Sequence, residues 1–213
     1  MKPIIYPYQY NAVKKHIFHL LNTYHSVNDL KMIKNIQEET KFLIKDYLKD
    51  AGDTLDAQID TLMDIKLSKS QCEKVLDHLK EYVIPFTEPT QKQIEKTFRK
   101  VKKLRVPSIS DGQYRESTFI GWNEISSQRK YILYYDMNDT LQGFYGDLSP
   151  QTVKGFCNIC NTESDVSLFL NKSKTGSDGR YTKKGDYICR DSEKCNQQIS
   201  DISRFHQFIN KIF

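Results

Sequence analysis

The sequence predicts an α+β protein in which an N-terminal helical bundle precedes an α/β domain. Over about the first ninety residues, apolar side chains recur at the three- and four-residue spacing of amphipathic helices. After residue 117 the apolar runs become short, aromatic and β-branched, which is typical of strands. Four of the five cysteines lie within the last sixty residues, so the second domain also carries a candidate metal site.

Four helices are predicted in the N-terminal part. The first covers "YNAVKKHIFHLLNTY", and the second follows the candidate N-caps Ser26, Asn28 and Asp29 and is broken at Gly52. A third, shorter helix precedes Ser68, and the fourth begins after that residue. Because the connections are short, neighbouring helices are expected to be antiparallel, as in a small bundle.

Cys72 stands apart from the C-terminal cysteines. It lies on the apolar face of the fourth predicted helix, where no histidine or other cysteine is spaced to join it. We interpret it as a small buried hydrophobe.

The two prolines of "IPFTEPT", residues 84–90, mark the predicted domain boundary, which gives domains 1–88 and 89–213. Residues 1–91 carry 12 basic and 13 acidic side chains, whereas residues 92–213 carry 20 and 14. The positive second part is compatible with an acidic partner, protein or nucleic acid, although an excess of this size also occurs on ordinary solvated surfaces.

A helix with one apolar and one strongly basic side is predicted over residues 92–105. The apolar stripe consists of Ile94, Phe98, Val101 and Leu104, and the basic side of Lys92, Lys96, Arg99, Lys100 and Lys103. One side is expected to pack and the other to face solvent or a partner. Residues 107–117 are rich in turn formers and predict a loop.

Strands follow the loop. The runs "TFIGWNE", "KYILYYDM" and "LQGFYGDL" predict three of them, with a hairpin turn at "DMNDT". Further on, "VSLFLNKSK" and "YTKKGDYIC" predict a second hairpin around the turn "TGSDGR". The final segment "NQQISDISRFHQFINKIF" has the periodicity of one C-terminal helix.

Cys157, Cys160, Cys189 and Cys195 form the pattern C-x2-C, a gap of 28 residues, and C-x5-C. Two local cysteine pairs that the fold brings together are the usual way to build a tetrahedral zinc site. The gap accommodates the second hairpin, and the last cysteine precedes a helix, whose N-terminus favours a thiolate. The turn that carries Cys157 and Cys160, called the knuckle below, is followed by the hairpin and then by the helix. This order predicts a treble-clef-like four-cysteine zinc finger with one structural zinc ion.

Three other uses of these cysteines are less consistent with the sequence. A C-x-x-C redox site requires a βαβ setting and leaves Cys189 and Cys195 unexplained. Disulfides are disfavoured in an intracellular chain, because thiols stay reduced there. A catalytic zinc needs an open coordination position, which four cysteines would close.

Composition narrows the function classes. No segment approaches 18 consecutive apolar residues, and the N-terminus lacks the apolar run of a signal peptide, so a soluble, cytoplasmic protein is expected. The chain contains no G-x-S-x-G, no phosphate-binding Gly-rich loop and no H-E-x-x-H motif. We therefore do not expect an enzyme.

Aromatic and basic side chains near the cysteines favour recognition instead. They are Phe156, Lys183, Lys184, Tyr187, Arg190 and Phe208. Such side chains on a rigid scaffold are common to interface hot spots and RNA-binding surfaces. Two simpler roles stay open: the lysines balance the charge of four thiolates around zinc, and Phe208 belongs to the core.

Several segments resemble the FusB-type elongation factor G-binding proteins, which confer fusidic acid resistance. They are "KGFCNIC", "TKKGDYICRDSEKCNQQ", "VSLFLNKSKT", "RKVKKL" and "GWNEISSQRKYILYYD". The resemblance is dense from about residue 92 to the end and looser in the N-terminal helices. It implies an N-terminal helical bundle and a C-terminal α/β domain with a four-cysteine zinc finger.

The resemblance also implies a function. Such a protein binds the C-terminal domains of elongation factor G and promotes its release from ribosomes stalled by fusidic acid, without altering the drug. Position by position, the resemblance implies zinc ligands at the four C-terminal cysteines and a partner-contacting surface at Phe156, Lys184, Tyr187 and Phe208. A monomer that meets its partner on the ribosome is expected. The alternative is a zinc-finger module that binds ribosomal RNA through the basic helix 92–105.

Overall fold

The computed structural model of the chain describes residues 2–101, 104–175 and 180–212. The fold separates into two compact units, Met1–Pro85 and Phe86–Phe213. Helices form the first unit, and an antiparallel sheet with flanking helices forms the second. Within the described residues, no helix is both long and apolar enough to cross a membrane.

The first unit contains the four predicted helices and one further short helix. Its elements are α1 (Pro7–Ser26), α2 (Leu30–Tyr47), a 3-10 helix (Lys49–Leu55), α3 (Asp56–Leu62) and α4 (Lys69–Lys80). The 3-10 helix lies at the predicted break after α2, where Gly52 adopts a φ of 57°. A positive φ costs glycine little, because it has no Cβ.

Side chains satisfy the free amides at two helix starts. Asp29 Oδ1 accepts hydrogen bonds from the backbone N–H groups of Lys31 and Met32 at 2.9 and 3.3 Å. Before α4, Ser68 Oγ accepts from the Gln71 N–H at 3.3 Å, and Gln71 Oε1 accepts from the Ser68 N–H at 2.9 Å. Asp29 is thus the N-cap of α2, and Ser68 begins α4 with a capping box.

The core of this unit is largely aliphatic. Its fully buried members include Ile17, Leu20, Ile44, Leu55 and Leu62. Cys72 is fully buried with them, as predicted, and burial raises the pKa of its thiol to about 11.

Within its described residues, the second unit combines six strands with four α-helices and a short 3-10 helix (Ile125–Ser127). The helices are α5 (Gln91–Thr97), α6 (Asp111–Glu116), α7 (Ser192–Gln198) and α8 (Ile202–Ile212); the strands are β1 (Ile120–Glu124), β2 (Arg129–Tyr135), β3 (Leu141–Leu148), β4 (Val153–Phe156), β5 (Glu163–Thr175) and β6 (Arg180–Cys189). The strands form one antiparallel sheet in the order β1-β2-β3-β5-β4, and β6 also pairs with β5.

Side-chain alternation along β2 shows the two faces of the sheet. Tyr131 and Leu133 belong to an apolar cluster that includes Phe98, next to α5. Tyr134 points the other way and meets the ring of Phe205 in α8 edge-on, with 5.6 Å between ring centroids. The sheet therefore packs against α5 on one face and against α8 on the other.

The predicted helix over residues 92–105 is wrong after Thr97. There α5 ends, with Phe98 as its C-cap and the Phe98 side chain 3% exposed in the core. The basic run that follows would place like charges at i, i+4, which disfavours a longer helix. Residues 102–103 lie outside the described part of the chain.

Three further elements differ from the sequence prediction. The predicted loop 107–117 contains α6, whose start is stabilised by the Ser110 N–H donating to Gln113 Oε1 at 2.8 Å. The predicted C-terminal helix is divided into α7 and α8, and Asp201 Oδ1 accepts from the Ser203 N–H at 2.9 Å where α8 begins. Strand β4 was not predicted. Of the predicted turn "TGSDGR", residues 176–179 lie outside the described residues.

Candidate metal centre and partner surface

Four cysteine sulfurs meet at one place in the second unit. Cys157 and Cys160 lie in the turn between β4 and β5, Cys189 ends β6, and Cys195 lies in α7. Their Sγ atoms are all within 4.8 Å of one another, and all four side chains are buried. The structure thus brings together all four cysteines that the spacing singled out.

The distances between the sulfurs match a tetrahedral zinc site. Cys157 Sγ lies 3.8 Å from Cys195 Sγ, and Cys160 Sγ lies 3.7 Å from Cys189 Sγ. Four sulfurs bound about 2.3 Å from one zinc ion are about 3.8 Å apart, whereas a disulfide bond is about 2.05 Å long. All four are free thiols, and this donor set fits zinc.

The first cysteine pair is held by a tight turn. Asn161 adopts a φ of 52°, and its N–H donates to the Cys157 carbonyl at 2.8 Å. The Cys157 N–H donates to the Thr162 carbonyl at 3.1 Å, and the Ile159 N–H donates to Cys157 Sγ at 3.3 Å. Hydrogen bonds of the last kind stabilise negative charge on sulfur.

Strand β6 joins this turn to the third cysteine. The Asn158 N–H donates to the Tyr187 carbonyl at 2.9 Å, and the Cys189 N–H donates to Cys157 Sγ at 3.3 Å. These two contacts fix the end of β6 against the turn that carries the first pair.

Helix α7 positions the fourth cysteine. Asp191 Oδ1 accepts from the backbone N–H groups of Glu193 and Lys194 at 2.9 and 3.1 Å. This cap begins α7 three residues before Cys195, which completes the predicted order of knuckle, hairpin and helix.

The thiols perturb one another strongly. Hydrogen bonds from Cys160, Cys189 and Cys195 hold the pKa of Cys157 well below its usual value. The hydrogen bond to Cys157 and burial raise the pKa of Cys195. Because zinc binds thiolates, metal binding to these cysteines would release protons.

Asn196 anchors α7 to the two residues directly before β1. This role was not identified from the sequence. Its side chain is 3% exposed. Oδ1 accepts from the N–H groups of Thr118 and Phe119 at 2.8 and 3.2 Å, and Nδ2 donates to the Phe119 carbonyl at 2.8 Å. The feature of the sequence that could have indicated this role is the position of Asn196 directly after Cys195.

Lys130 is a buried charged residue near the cysteines, and it too was missed. It is 1% exposed, and its Nζ donates to the Arg190 carbonyl at 2.9 Å and to Asn123 Oδ1 at 3.2 Å. Burial lowers the pKa of Lys130 to about 8, while the negative charges of Cys195 and Cys189 act in the opposite direction. Lys130 lies in a run with an ordinary strand pattern, and no feature of the sequence indicated that its side chain would be buried.

Two of the predicted contact residues are exposed beside the cysteines. Phe156 is 66% exposed and directly precedes Cys157, and Tyr187 is 45% exposed and lies two residues before Cys189. Both belong to strands that pair with β5. The structure therefore presents two aromatic rings on rigid backbone at the candidate metal centre.

The other two predicted contact residues are placed differently. Lys184 lies on the same strand as Tyr187 but three residues away, so strand alternation points it to the opposite face. Phe208 is 3% exposed, and its ring centroid lies 6.3 and 6.1 Å from those of Phe144 and Phe169. Phe208 is a core residue in this structure, and an effect of Phe208 on binding would act through the fold.

Both parts of the chain match known protein families. Residues 93–207 match the FBP C-terminal treble-clef zinc-finger, and residues 4–87 match the N-terminal domain of elongation factor G-binding protein. The chain is a FusB-type elongation factor G-binding protein. Its family confirms the predicted fold class, in which a helical bundle precedes an α/β domain with a treble-clef zinc finger.

A solved structure is similar over nearly the whole FusB-type chain. The fusidic acid resistance protein FusC is 44% identical in sequence with a TM-score of 0.92, and the match covers 99% of this chain and 98% of that chain. No curated protein sequence matched. The families and FusC point to a binding or resistance protein rather than an enzyme.

Proposed function

We propose that this protein binds the C-terminal domains of elongation factor G and promotes release of the factor from ribosomes stalled by fusidic acid. The drug would stay unaltered, so resistance would arise by protection of the target. Family membership of both parts of the chain and the likeness to FusC support this proposal. The observation that carries it is the exposure of two aromatic side chains, Phe156 and Tyr187, on the strands that lead into the cysteine cluster.

We assign Cys157, Cys160, Cys189 and Cys195 as the ligands of one structural zinc ion. Four thiolates fill a tetrahedral shell and leave no open position for a substrate. The ion would lock together the knuckle, the end of β6 and the start of α7. Because Phe156 and Tyr187 lie on two of these segments, the same ion would hold the aromatic pair in place.

The aromatic pair suits a protein partner. Phe156 pairs across the sheet with Glu163, and Tyr187 pairs with Leu168, so the backbone of both is ordered before binding. Rigid aromatic side chains bury a large area at a small loss of conformational freedom. Lys184 points to the opposite face of the strand from Tyr187, so its proposed contribution is a longer-range positive charge toward an acidic partner rather than a contact beside Tyr187.

The domain assignment follows from this surface. We propose that residues 89–213 are the partner-binding domain and that residues 1–88 form a separate helical domain. The protein would act in the cytoplasm as a monomer, with one copy bound to each elongation factor G.

Direct binding is tested by co-elution of the zinc-loaded full chain with purified elongation factor G, without ribosomes or RNA. A one-to-one complex is expected. Phe156→Ala and Tyr187→Ala should each weaken binding roughly 30-fold, as expected for hot-spot residues, with unchanged zinc content. Ile125→Ala is the matched control, because Ile125 is an 85% exposed apolar residue in the turn between β1 and β2. Normal binding by both aromatic variants would show that the surface is wrong.

Release is tested separately by translation in vitro in the presence of fusidic acid. The wild-type protein should restore synthesis, and Tyr187→Ala should not. A protein that binds elongation factor G but restores no synthesis would leave the binding proposal standing and refute release.

The RNA alternative has lost part of its basis, because the predicted basic helix ends at Thr97. Salt dependence separates the two functions. An RNA complex that neutralises several phosphates should weaken steeply as salt rises, whereas an interface centred on aromatic residues should change much less.

A further inference from the structure

Lys130 places a buried positive charge near the cysteine cluster. We propose that Lys130 is the internal counter-cation of the metal centre: its ammonium group offsets part of the negative charge of the zinc-bound thiolates and positions the chain between Cys189 and Cys195. This inference rests on the proposed zinc ligation.

A buried ammonium group requires compensation. Lysine is almost never fully buried unless it is paired, because removing the charge from water costs free energy. Lys130 is 1% exposed. The hydrogen bonds that the described residues give its Nζ go to uncharged oxygens, the Arg190 carbonyl and Asn123 Oδ1. The compensating negative charge must therefore come from groups beyond these contacts.

The metal centre supplies that charge. Lys130 Nζ donates to the carbonyl of Arg190, the residue that joins Cys189 to Asp191. With zinc bound, the thiolates of Cys195, Cys189 and Cys157 and the carboxylate of Asp191 would act on its charge. Four thiolates around one zinc ion leave two net negative charges. Because Lys130 and the cysteines are all buried, water screens their attraction weakly. Each charge therefore stabilises the other.

The same lysine fixes the chain between two candidate ligands. Arg190 directly follows the third cysteine of the cluster, and its carbonyl accepts from Lys130 Nζ and from Asn123 Nδ2, each at 2.9 Å. One residue later, Asp191 caps the helix that carries the fourth cysteine. Strands β1 and β2 thus hold the segment that sets the separation of these two cysteines. Hydrogen-bonded groups next to metal ligands commonly affect metal affinity in this way.

The test compares two lysines that differ in burial. Lys130→Met removes the buried charge and keeps a long unbranched side chain. Lys194→Met makes the same change at an exposed lysine adjacent to Cys195 in sequence. The zinc dissociation constant of each full-length variant is measured by competition with a chelator. Lys130→Met should raise it about tenfold or more, and Lys194→Met should change it less than about twofold, because water screens its charge.

A spectroscopic measurement separates charge from hydrogen bonding. With cobalt in place of zinc, the sulfur-to-cobalt charge-transfer bands report the energy of the thiolate electrons. Removing a nearby positive charge should shift these bands to lower energy in Lys130→Met. Asn123→Ala removes a hydrogen bond to the Arg190 carbonyl and one acceptor of Lys130 Nζ but keeps the charge, so its bands should stay in place even if its metal affinity falls.

The outcomes are distinct. Wild-type zinc affinity and band positions in Lys130→Met would overturn the role of Lys130 while leaving zinc ligation intact. If Lys130→Met does not fold, Lys130→Arg is measured instead, because it keeps the positive charge. Retained zinc affinity would support the proposed role of the charge, and a loss of tenfold or more would overturn it. A wild-type chain that binds no zinc would refute the ligation itself, and this inference with it.

Discussion

In the helical unit, Met1–Pro85, the buried side chains are almost all apolar, whereas the sheet unit, Phe86–Phe213, buries four thiols, a lysine and an asparagine among its aromatic rings. The buried polar side chains described in the helical unit are Gln9, Thr23 and Thr40, and none of them is charged. The two units therefore differ in what holds them together.

The difference follows from local structure. A helix satisfies most of its own backbone groups, so the helical unit needs little more than apolar burial. The knuckle and the Arg190–Asp191 connection form neither helix nor sheet ladder, and they rely on a few backbone hydrogen bonds, side chains, sulfur atoms and the proposed ion. In the zinc-finger part of the sheet unit, polar contacts and the proposed ion therefore add stability that apolar packing alone provides in the helical unit.

Removal of zinc by a chelator should give the largest difference in stability between the two units. Removing zinc should unfold the zinc-finger part of the sheet unit, since structural zinc supplies about 10–16 kcal/mol of apparent binding free energy in small zinc domains. The helical core lies wholly within residues 5–83 and contains no candidate ligand. Amide hydrogen exchange should lose protection from β4 to α7 and keep it in α1 and α4. Equal loss of protection in α1 would contradict the contrast.

The reverse perturbation is a cavity in the helical core. Leu20 is fully buried, so Leu20→Ala should lower the free energy of unfolding by about 2–5 kcal/mol in denaturant titrations. Leu30, 76% exposed on α2, is the control, and Leu30→Ala should cost less than about 0.5 kcal/mol. Bound zinc should be the same in both variants. A drop in zinc content in Leu20→Ala would show that the stability of the sheet unit depends on the helical core.

Removal of one buried polar side chain tests how much polar contacts stabilise the sheet unit. Asn196→Ala would leave the buried N–H of Phe119 without the side-chain oxygen that accepts its hydrogen bond. The expected cost is about 1–3 kcal/mol of unfolding free energy, the range for an unsatisfied buried group. Gln197→Ala, at the exposed neighbouring position, should have little effect. Equal stability of the two variants would show that the anchor contributes nothing.

The smallest effect is expected at a helix cap. Ser68→Ala removes the acceptor for the Gln71 N–H and should cost about 1 kcal/mol in thermal or denaturant unfolding. Ser70, an exposed serine two residues further on, is the control, and Ser70→Ala should be neutral or slightly stabilising because alanine is the better helix former. Destabilisation by Ser70→Ala to the same extent would exclude the cap as the cause.

Features with a local cause were predicted from the sequence. The apolar periodicity predicted α1, α2 and α4, and polar side chains predicted where α2 and α4 begin. The hairpin turn between β2 and β3 was also predicted, and there Asp136 Oδ1 accepts from the Asn138 and Thr140 N–H groups at 2.9 and 3.0 Å. In each case the interacting residues are neighbours in the chain.

Features with a distant cause were missed. Helix α5 ends at Thr97, and the ring of its C-cap, Phe98, meets those of Trp122 and Tyr131 at 5.8 and 5.4 Å between centroids. Strand β4 is only four residues long and depends on β5 for its hydrogen bonds. Periodicity alone does not report such partners.

The sequence by itself determined the fold class, the family resemblance and the set of four candidate cysteines, because periodicity, capping residues and cysteine spacing are properties of contiguous residues. Only the tertiary structure decided which aromatic side chains are available to a partner: Phe156 is exposed and Phe208 is buried. It also decided that Lys130 is buried against the carbonyl of Arg190, the residue after Cys189, which is 60 residues away in the chain. Burial depends on residues that are brought together only when the chain folds.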